Sequence, residues 1–262
     1  MIDIHSHILP GIDDGARSME EAVEMARIAA ADGIERMVST PHMFNGFSNN
    51  PEPSDLLERI AALNDAINSP AIRILPGNEV HISHEIAEQS RKNRVLRINQ
   101  QNYMLVEFPM LAIPIGADEL LHNLLLQGVT PILVHPERNR EIQSSPHLAA
   151  HYIERGVLIQ ITAMSVTGEF GAAAHTCAET LLRHDCVHFL ATDAHRSHQR
   201  PPILSKGRDA AAAIIGTERA LALVESNPSA VIEGKPVEAP PPVPFGLKSR
   251  RQQSFFSRFF PR

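Results

Sequence analysis

The feature of this sequence that most constrains its fold is a repeated alternation of short apolar runs with longer segments of helical period. Seven runs are typical of strands, at residues 2–4, 36–40, 71–75, 103–107, 130–134, 157–161 and 187–191. Strands that alternate with helices form a parallel sheet, because each helix returns the chain to the same edge. Seven such units predict an α/β fold, a distorted (β/α)7 TIM-like barrel, with a doubly wound sheet as the alternative.

The segments between these strands carry the signals of helices. We predict helices at residues 54–67, 84–91, 116–127, 146–155 and 172–184. An earlier helix begins with a capping box, since Ser18 is followed three residues later by Glu21. Its predicted buried stripe consists of Ala22, Val23, Ala26, Ala29 and Ala30.

Composition indicates a soluble globular protein without a disulfide framework. The chain has 262 residues, a length that one β/α barrel commonly occupies, and it carries 14 histidines that titrate near neutral pH. Its two cysteines, Cys177 and Cys186, are expected to be free thiols. There is no signal-peptide pattern and no apolar run long enough to span a bilayer, so we expect a cytoplasmic protein.

The character of the sequence changes after about residue 235. We divide the chain into a domain at residues 1–235 and a tail at residues 236–262, which is first Pro-rich and then basic and aromatic. At residues 248–262 the charges of the tail are Lys248, Arg250, Arg251, Arg258 and Arg262, and the rings are Phe255, Phe256, Phe259 and Phe260. We predict a disordered tail, with peripheral contact to an anionic membrane as the functional alternative.

Side chains that bind metals lie where the predicted strands end. Six of the seven strands lead into one, and the set is His5, His7, His42, Glu79, Glu107, His135, Asp193 and His195, with Asp13 and Asp14 in the first loop. The carboxyl ends of barrel strands converge on one site. Carboxylates gathered there would repel one another without a cation, and imidazole with carboxylate suits Mn, Fe or Zn. The pattern therefore predicts a metal centre.

These motifs carry a family resemblance over about residues 1–235. The stretches concerned are, in order, DIHSHILPGIDDGA, STPH, GNEVHI, EFP, ILVHPERN, QITAMSVTGEFG and ATDAHRSHQRPP. The sequence resembles the PHP (polymerase and histidinol phosphatase) superfamily, and most closely its bacterial manganese-dependent tyrosine-protein phosphatases of capsule and exopolysaccharide synthesis. The resemblance implies a barrel of the PHP type and phosphatase activity.

The resemblance also implies roles for individual residues. It implies three divalent metal ions, Mn²⁺ or alternatively Fe or Zn. The first would be held by His5, His7, Glu79 and Asp193, the second by Glu79, Glu107 and His135, and the third by Asp14, His42 and His195. Asp13 is the less favoured of the two adjacent aspartates. Arg138 and Arg200 match the phosphate-binding arginines of the family, and a guanidinium suits two phosphate oxygens, whereas nearby Arg196 has no assigned role.

The expected reaction is in-line attack by a metal-activated water, without a covalent enzyme intermediate. A rival mechanism would use a thiolate, because Cys177 and Arg183 have the spacing of cysteine-based tyrosine phosphatases. Such a loop wraps backbone amides around phosphate and favours Gly, whereas the residues between Cys177 and Arg183 are mostly helix formers without Gly. We therefore expect the match to be accidental.

Other functions are open at this point. A histidinol-phosphate or other small-molecule phosphatase would share the metals and differ in the pocket. A metal-dependent amidohydrolase would not call for two arginines, and a non-catalytic binding module would be expected to have lost ligands. Residues 1–247 carry 19 Lys and Arg against 30 Asp and Glu, so their charge of −11 opposes nucleic acid binding.

The resemblance further implies a protein substrate. We expect a phosphotyrosine protein, such as the flexible tail of a membrane-associated bacterial tyrosine kinase. A basic and aromatic tail at residues 248–262 would then hold the enzyme near the membrane that carries this kinase.

Overall fold

The computed structural model describes residues 1–46 and 48–246. In this part of the chain there are nine strands: β1 Ile2–Ser6, β2 Arg36–Ser39, β3 His42–Met43, β4 Arg73–Pro76, β5 Glu79–His81, β6 Tyr103–Glu107, β7 Thr130–Val134, β8 Leu158–Thr162 and β9 Phe189–Ala191. All strand pairings are parallel. The predicted α/β class with a parallel sheet is confirmed.

The same part of the chain contains eleven α-helices. They are α1 Met19–Ala31, α2 Pro53–Ile67, α3 Ile86–Arg91, α4 Ala117–Leu126, α5 Arg140–Ser144, α6 His147–Ile153, α7 Ala163–Val166, α8 Ala172–Arg183, α9 Ser205–Ile215, α10 Thr217–Ala222 and α11 Ser226–Ile232. Short 3-10 turns occupy Ile98–Gln100 and Pro136–Arg138. The five predicted inter-strand helices correspond to α2, α3, α4, α6 and α8, so helical periodicity located them correctly.

Two of the predicted strands are each followed by a short strand that the sequence did not predict. The strand predicted at 36–40 is β2, and β3 follows it after a break at Thr40 and Pro41. The strand predicted at 71–75 is β4, and β5 follows it after a break at Gly77 and Asn78. As a result the strands form two sheets, in the orders β1-β2-β4 and β3-β5-β6-β7-β8-β9. These hydrogen-bonded ladders do not close into one ring, which differs from the predicted barrel.

Each break has a local cause and precedes a candidate ligand. Pro41 has no amide hydrogen and cannot continue the ladder of β2, and His42 begins β3 directly after it. Gly77 lies against the neighbouring strand so closely that a Cβ there would be 2.7 Å from Val38 Cγ1. The chain therefore changes direction just before His42 and Glu79, which places both side chains at the edge shared by the strand ends.

The first strand and the residues after the last strand are held together by polar contacts. Ser6 and Ala194 form an isolated parallel bridge. The amide of Asp193 donates to the carbonyl of His5 at 2.9 Å. Buried Asp3 accepts hydrogen bonds from both the amide and the hydroxyl of Thr192. These contacts bring the sequence around Asp193 alongside His5.

Alternate side chains of the strands pack into two cores, as the period of two in a strand requires. On β6, Leu105 joins Ile4, Ile132 and Phe189 in a core that draws residues from both sheets. Met104 and Val106, its neighbours on β6, pack instead in a larger core with the helices. The two sheets therefore enclose one core between them and share a second with the surrounding helices.

The first helix begins at the residue that the sequence predicted. Ser18 Oγ accepts a hydrogen bond from the Glu21 amide at 3.3 Å, as expected for the N-cap. The Glu21 carboxylate bonds to the Arg17 amide at 2.9 Å, one residue before the cap, so the reciprocal half of the capping box is displaced.

Residues 236–246 contain no helix or strand, but they lie against the domain. The Val243 amide donates to the carbonyl of His184 at 2.8 Å, and the ring of Phe245 stacks on the His184 imidazole with centroids 4.1 Å apart. The predicted disordered, basic and aromatic tail, with its membrane contact, lies outside the described residues from position 247 onward. None of the helices in the described residues is both long and apolar enough to cross a bilayer.

Buried His188 is held in its neutral form. Its Nδ1 accepts a hydrogen bond from the Ile159 amide at 3.1 Å, so the ring proton is on Nε2. Burial lowers the pKa of His188 from 6.5 to about 4. The unfolded chain therefore binds a proton between these two pH values that the native protein does not bind, and His188 makes the protein less stable as the pH falls through this window.

Replacing His188 by Asn keeps an acceptor oxygen for the Ile159 amide and removes the titrating ring. We expect the wild-type free energy of unfolding, relative to that of His188→Asn, to fall by about 2 kcal/mol between roughly pH 7.5 and pH 5. Urea unfolding at each pH measures this difference. A difference that does not change with pH would contradict a neutral, buried His188.

Candidate metal centre

The structure brings together all nine side chains that the sequence singled out as metal ligands. They are His5, His7, Asp14, His42, Glu79, Glu107, His135, Asp193 and His195, and their ligand atoms fall into overlapping groups within 4.8 Å. Their imidazoles are closely packed, with the ring of His7 centred 4.0 Å from that of His195 and 4.4 Å from that of His42. Most members are buried, so this is a dense polar cluster inside the fold.

The two histidines of β1 and its end are oriented by acceptors behind them. His5 Nδ1 lies 2.8 Å from Gln160 Oε1, and His7 Nδ1 lies 2.8 Å from Asp13 Oδ2. Each Nδ1 therefore carries a proton, and each Nε2 of a neutral ring presents a lone pair. The two Nε2 atoms lie 3.3 Å apart, so both lone pairs are directed to the same place. A bound cation would remove this repulsion, and His5 and His7 are residues that could hold it.

The adjacent aspartates of the first loop have different surroundings. The side chain of Asp13 is buried, and its carboxylate accepts hydrogen bonds from His7 Nδ1, the His42 amide and the Gly15 amide. Asp14 is largely exposed, and its Oδ1 lies 3.6 Å from His42 Nε2 and 3.5 Å from His195 Nε2. The loop can fold back this tightly because Gly15 has no Cβ, which would lie 2.0 Å from the His7 carbonyl oxygen. Asp13 supports an imidazole, while Asp14 faces two of them.

Glu79 lies at the middle of the cluster. Its Oε2 is 3.2 Å from His5 Nε2, 3.3 Å from His7 Nε2 and 2.9 Å from His42 Nδ1, and its Oε1 is 2.8 Å from His135 Nε2. Burial alone would raise the pKa of Glu79, but the neighbouring His5, His42 and His135 outweigh burial and hold it well below its ordinary value. Glu79 is therefore an anion whose two oxygens could bind more than one metal ion.

Two buried atoms of the cluster indicate that protein groups alone do not satisfy it. Glu79 Oε2 and His42 Nδ1 are 2.9 Å apart, yet neither has a partner in hydrogen-bond geometry. Unsatisfied buried polar atoms are costly, and coordination to a cation would satisfy both. Imidazole nitrogens and carboxylate oxygens are the donors that Mn, Fe and Zn accept, so these residues fit divalent metal ions.

The groups that could each hold an ion overlap the sets implied by the family resemblance. They are His5, His7 and Asp193; His5, Glu79 and His135; His42, Glu79 and Glu107; and His7, Asp14, His42 and His195. One difference lies at Glu107, which groups with His42, while its Oε1 is 3.9 Å from His135 Nε2. The others are that His7 also joins the group of Asp14, His42 and His195, and that Glu79 is absent from the group of His5, His7 and Asp193. Glu79 belongs to two of the four groups, which is what a bridging carboxylate requires.

Asp193 connects the cluster to the two candidate phosphate-binding arginines. Its Oδ1 lies 3.5 Å from His5 Nε2 and 3.3 Å from His7 Nε2. Its Oδ2 accepts a hydrogen bond from Arg138 Nη1 at 2.9 Å and another from Arg200 Nη2. Burial would raise the pKa of Asp193, but Arg200 and His5 hold it well below its ordinary value. One carboxylate thus faces the imidazoles on one side and both guanidinium groups on the other.

Phe170 lies under both guanidinium groups, and sequence reasoning assigned it no role. The Arg138 guanidinium carbon is 4.6 Å from the centroid of the Phe170 ring, and that of Arg200 is 5.3 Å away. Both distances are typical of cation–π contacts. The glycines on either side of Glu169 and Phe170, Gly168 and Gly171, have φ near +90°, a conformation that favours glycine and turns the chain sharply here. The motif QITAMSVTGEFG was the sequence signal that could have located this ring.

Three candidate site residues have left-handed backbone conformations, which are uncommon for residues other than glycine. These are His135, with φ of 36°, Asp193, with φ of 52°, and Arg200, with φ of 57°. Such conformations carry strain and gather at functional sites, where the surrounding structure maintains them. The positions of these three side chains in the site therefore carry some cost in backbone conformational energy.

Sequence reasoning also missed Gln160 and Glu137. Gln160 orients His5, as described above. Buried Glu137 accepts hydrogen bonds from the Thr162 amide at 3.0 Å and Ser165 Oγ at 2.7 Å, which anchors the turn between His135 and Arg138. Gln160 lies near the end of the predicted strand at 157–161, but an amide is not a metal-ligand type of side chain, and Glu137 follows the strand end that was assigned to His135. The search for ligand-type residues at strand ends therefore passed over both supports.

Two residues that the sequence left as competitors lie away from this chemistry. Arg196 Nη1 is 3.5 Å from Glu21 Oε2 at the start of α1, and it does not line the cleft between Arg138 and Arg200. Cys177 is buried within α8, where burial and Glu137 raise the pKa of its thiol to about 12. A thiol in this setting is not a thiolate nucleophile.

The cluster opens into a cleft of about 270 Å³. Arg138 and Arg200 line it together with six of the candidate ligands, Asp14, His42, Glu107, His135, Asp193 and His195. His81, which the sequence analysis did not assign, also lines this cleft, with its Nδ1 3.5 Å from Glu107 Oε2. The cleft is thus a small polar opening in which cations and guanidinium groups can meet an anionic ligand.

Known proteins with similar sequences cover nearly the whole chain. The tyrosine-protein phosphatase YwqE of Bacillus subtilis is 36% identical over 258 residues, which is 98% of this chain and 100% of that protein. The tyrosine-protein phosphatase CpsB of Streptococcus pneumoniae is 29% identical over 239 residues, 88% of this chain and 98% of that protein. These relatives are similar in length as well as in sequence.

Solved structures show the same architecture. A crystal structure from work on YwqE and CpsB, described as metal-dependent tyrosine phosphatases, has a TM-score of 0.88 at 35% identity and covers 94% of this chain and 100% of that one. A dihydropyrimidinase from Brevibacillus agri has a TM-score of 0.52 at 10% identity over 91% of this chain and 72% of its own, a similarity of fold alone. The family described as "Capsular polysaccharide synthesis, CpsB/CapC" matches residues 1–233, and the chain therefore belongs to the CpsB/CapC family.

Proposed function

We propose that this chain is a metal-dependent protein-tyrosine phosphatase that acts in capsule or exopolysaccharide synthesis. The observation that carries this proposal is the position of Asp193, which faces two imidazole nitrogens with one oxygen and two arginines with the other. Metal ligands and phosphate-binding groups thus share one residue. The relatives YwqE and CpsB are named tyrosine-protein phosphatases, which favours this function over histidinol-phosphate hydrolysis.

The proposed cofactor is a cluster of three divalent ions, Mn²⁺ with Fe or Zn as alternatives. We assign His5, His7, Glu79 and Asp193 to the first ion, Glu79, Glu107 and His135 to the second, and Asp14, His42 and His195 to the third. The groupings of His5, His7 and Asp193 and of Asp14, His42 and His195 support the first and third sets, and the central carboxylate of Glu79 suits a bridging role. The second set rests on the family resemblance. Asp13 and Gln160 would act behind the ligands by fixing the imidazoles of His7 and His5.

In the proposed reaction Arg138 and Arg200 bind the phosphoryl oxygens. Each guanidinium uses one or more donors on Asp193 and retains others that can point into the cleft. Bound divalent ions would lower the pKa of a coordinated water toward about 7 and neutralise charge on the phosphoryl group. A phenolate leaves more readily than an alkoxide, because its pKa is about 10, so a strong general acid is not required.

Several broader features belong to the same proposal. We infer that the two sheets form a distorted (β/α)7 barrel of the PHP type, in which β2 with β3 and β4 with β5 each count as one strand. One core joins both sheets, and Ser6 at the end of β1 pairs with Ala194 just after β9. We retain the division into a phosphatase domain at residues 1–235 and a tail at residues 236–262, supported by the family match to residues 1–233. The proposed substrate is a membrane-associated bacterial tyrosine kinase. The proposed location of the enzyme is the cytoplasm, where the tail would hold it near this kinase.

Removal of metal is the primary test of this proposal. We expect a chelator to abolish hydrolysis of a phosphotyrosine peptide and added Mn²⁺ to restore it, because a bound divalent ion would lower the pKa of the attacking water and neutralise charge on the phosphoryl group. The Cys177→Ser variant, measured in parallel, should retain nearly full activity. Faster hydrolysis of histidinol phosphate or a phosphoserine peptide, compared by kcat/KM, would contradict the tyrosine assignment.

The two adjacent aspartates allow a test of the ligand assignment. We expect Asp14→Asn to lose an ion, because it removes a carboxylate that faces His42 and His195. Asp13→Asn should keep the number of ions and bind them about 10- to 100-fold more weakly, the usual cost of losing a partner behind a ligand. Metal content after dialysis and metal titration measure both effects. The assignment is wrong if Asp13→Asn alone loses an ion.

Phe170 is proposed to position the two arginines. Substitution by Leu or by Tyr separates the effect of its aromatic ring from the effect of its size. We expect Phe170→Leu to lower kcat/KM about tenfold and to weaken inhibition by inorganic phosphate, because both cation–π contacts are lost. Phe170→Tyr retains the ring and should restore both values, while the metal content of all forms stays equal. Equal phosphate inhibition of the wild type and Phe170→Leu would contradict the role.

A further inference from the structure

The segment between β6 and α4, residues 108–116, borders the catalytic cleft and exposes large apolar side chains. Pro109 and Met110 line the cleft. Leu111 follows them with 65% of its surface exposed, and Ile115 on the same segment is 97% exposed. Among the described residues only one other large apolar side chain, Leu126 on α4, is comparably exposed. Two of the three therefore belong to a single segment beside the site.

This segment has a defined conformation. The carbonyl of Pro109 accepts a hydrogen bond from Asn139 Nδ2 at 2.7 Å, and the carbonyl of Met110 accepts one from the Arg140 amide at 2.9 Å. The Ile113 amide donates to the Glu141 carboxylate at 2.8 Å. The backbone is therefore anchored on both sides of Leu111, and the side chains of Leu111 and Ile115 are exposed to water.

Single exposed apolar residues are normal on protein surfaces, but an anchored segment that presents two of them beside a reaction site differs from that pattern. The cleft itself is small, at about 270 Å³, and much of its lining is charged or polar. It can hold a phosphorylated ring, whereas the chain on either side of that ring must remain at the rim. Further contact with a protein substrate must therefore come from side chains such as those of Leu111 and Ile115.

We propose that Leu111 and Ile115 form an apolar docking lip, which selects phosphotyrosine segments that carry an apolar side chain near the phosphorylated residue. The occupant is an extended substrate segment whose phosphate lies between Arg138 and Arg200 and whose flanking apolar residue covers the lip. This inference rests on the proposed phosphatase function and adds to it a preference for sequence around the phosphotyrosine. The driving force is removal of apolar surface from water on both partners.

The test compares three forms of the protein. They are a double variant that combines Leu111→Ser and Ile115→Ser, the control variant Leu126→Ser, and the wild type. Leu126 is a matched control, since it is 71% exposed and does not line the cleft. The Mn²⁺-loaded full-length forms are measured on three substrates: p-nitrophenyl phosphate, a phosphotyrosine peptide with leucines on both sides of the tyrosine, and the same peptide with serines there. All replaced side chains are exposed, so thermal unfolding midpoints should agree.

For the double variant we expect KM on the leucine peptide to rise about tenfold, with kcat unchanged, because only contacts outside the reacting group are lost. Its kinetics on p-nitrophenyl phosphate and on the serine peptide should equal those of the wild type, and Leu126→Ser should match the wild type on all three substrates. An unchanged KM on the leucine peptide, or an equal loss on both peptides, would overturn the lip. A metal-loaded wild type that hydrolyses none of the substrates would instead overturn the proposed phosphatase function.

Discussion

The buried carboxylate of Glu79 is the constraint on which the rest of the site depends. Four imidazoles, those of His5, His7, His42 and His135, lie within 3.3 Å of its two oxygens. An anion in this position needs cationic partners, because an uncompensated buried charge is strongly destabilising. The breaks at Pro41 and Gly77 help to meet this need, because they turn His42 and Glu79 toward the common edge.

The candidate ligands are oriented by polar side chains that are not ligands themselves. Asp13 and Gln160 fix which nitrogen of His7 and His5 is free, and Glu137 anchors the turn that carries His135 and Arg138. Such partners orient ligands and tune their basicity. The orientation of the candidate ligands therefore depends on buried hydrogen bonds to the surrounding fold.

The site divides recognition between two surfaces of different chemistry. The cleft is small and charged, and Phe170 and Asp193 hold its two arginines from different sides. The neighbouring segment at residues 108–116 is apolar where it meets water. A phosphoryl group matches the first surface, and the flanking chain of a protein substrate matches the second. An enzyme that hydrolyses a small phosphate ester would need only the cleft to bind its substrate.

The sequence by itself determined the α/β class, the approximate strands and the set of ligand-type residues, because strand periodicity and the rule that ligands follow strand ends are both local. It could not determine the breaks at Pro41 and Gly77, nor that Asp13 supports His7 while Asp14 faces His42 and His195. Within the sequence, Arg200 differed from Arg196 only through the family resemblance. These distinctions depend on contacts between segments far apart in the chain, such as Phe170 beneath Arg138 and Arg200, and only the tertiary structure decides them.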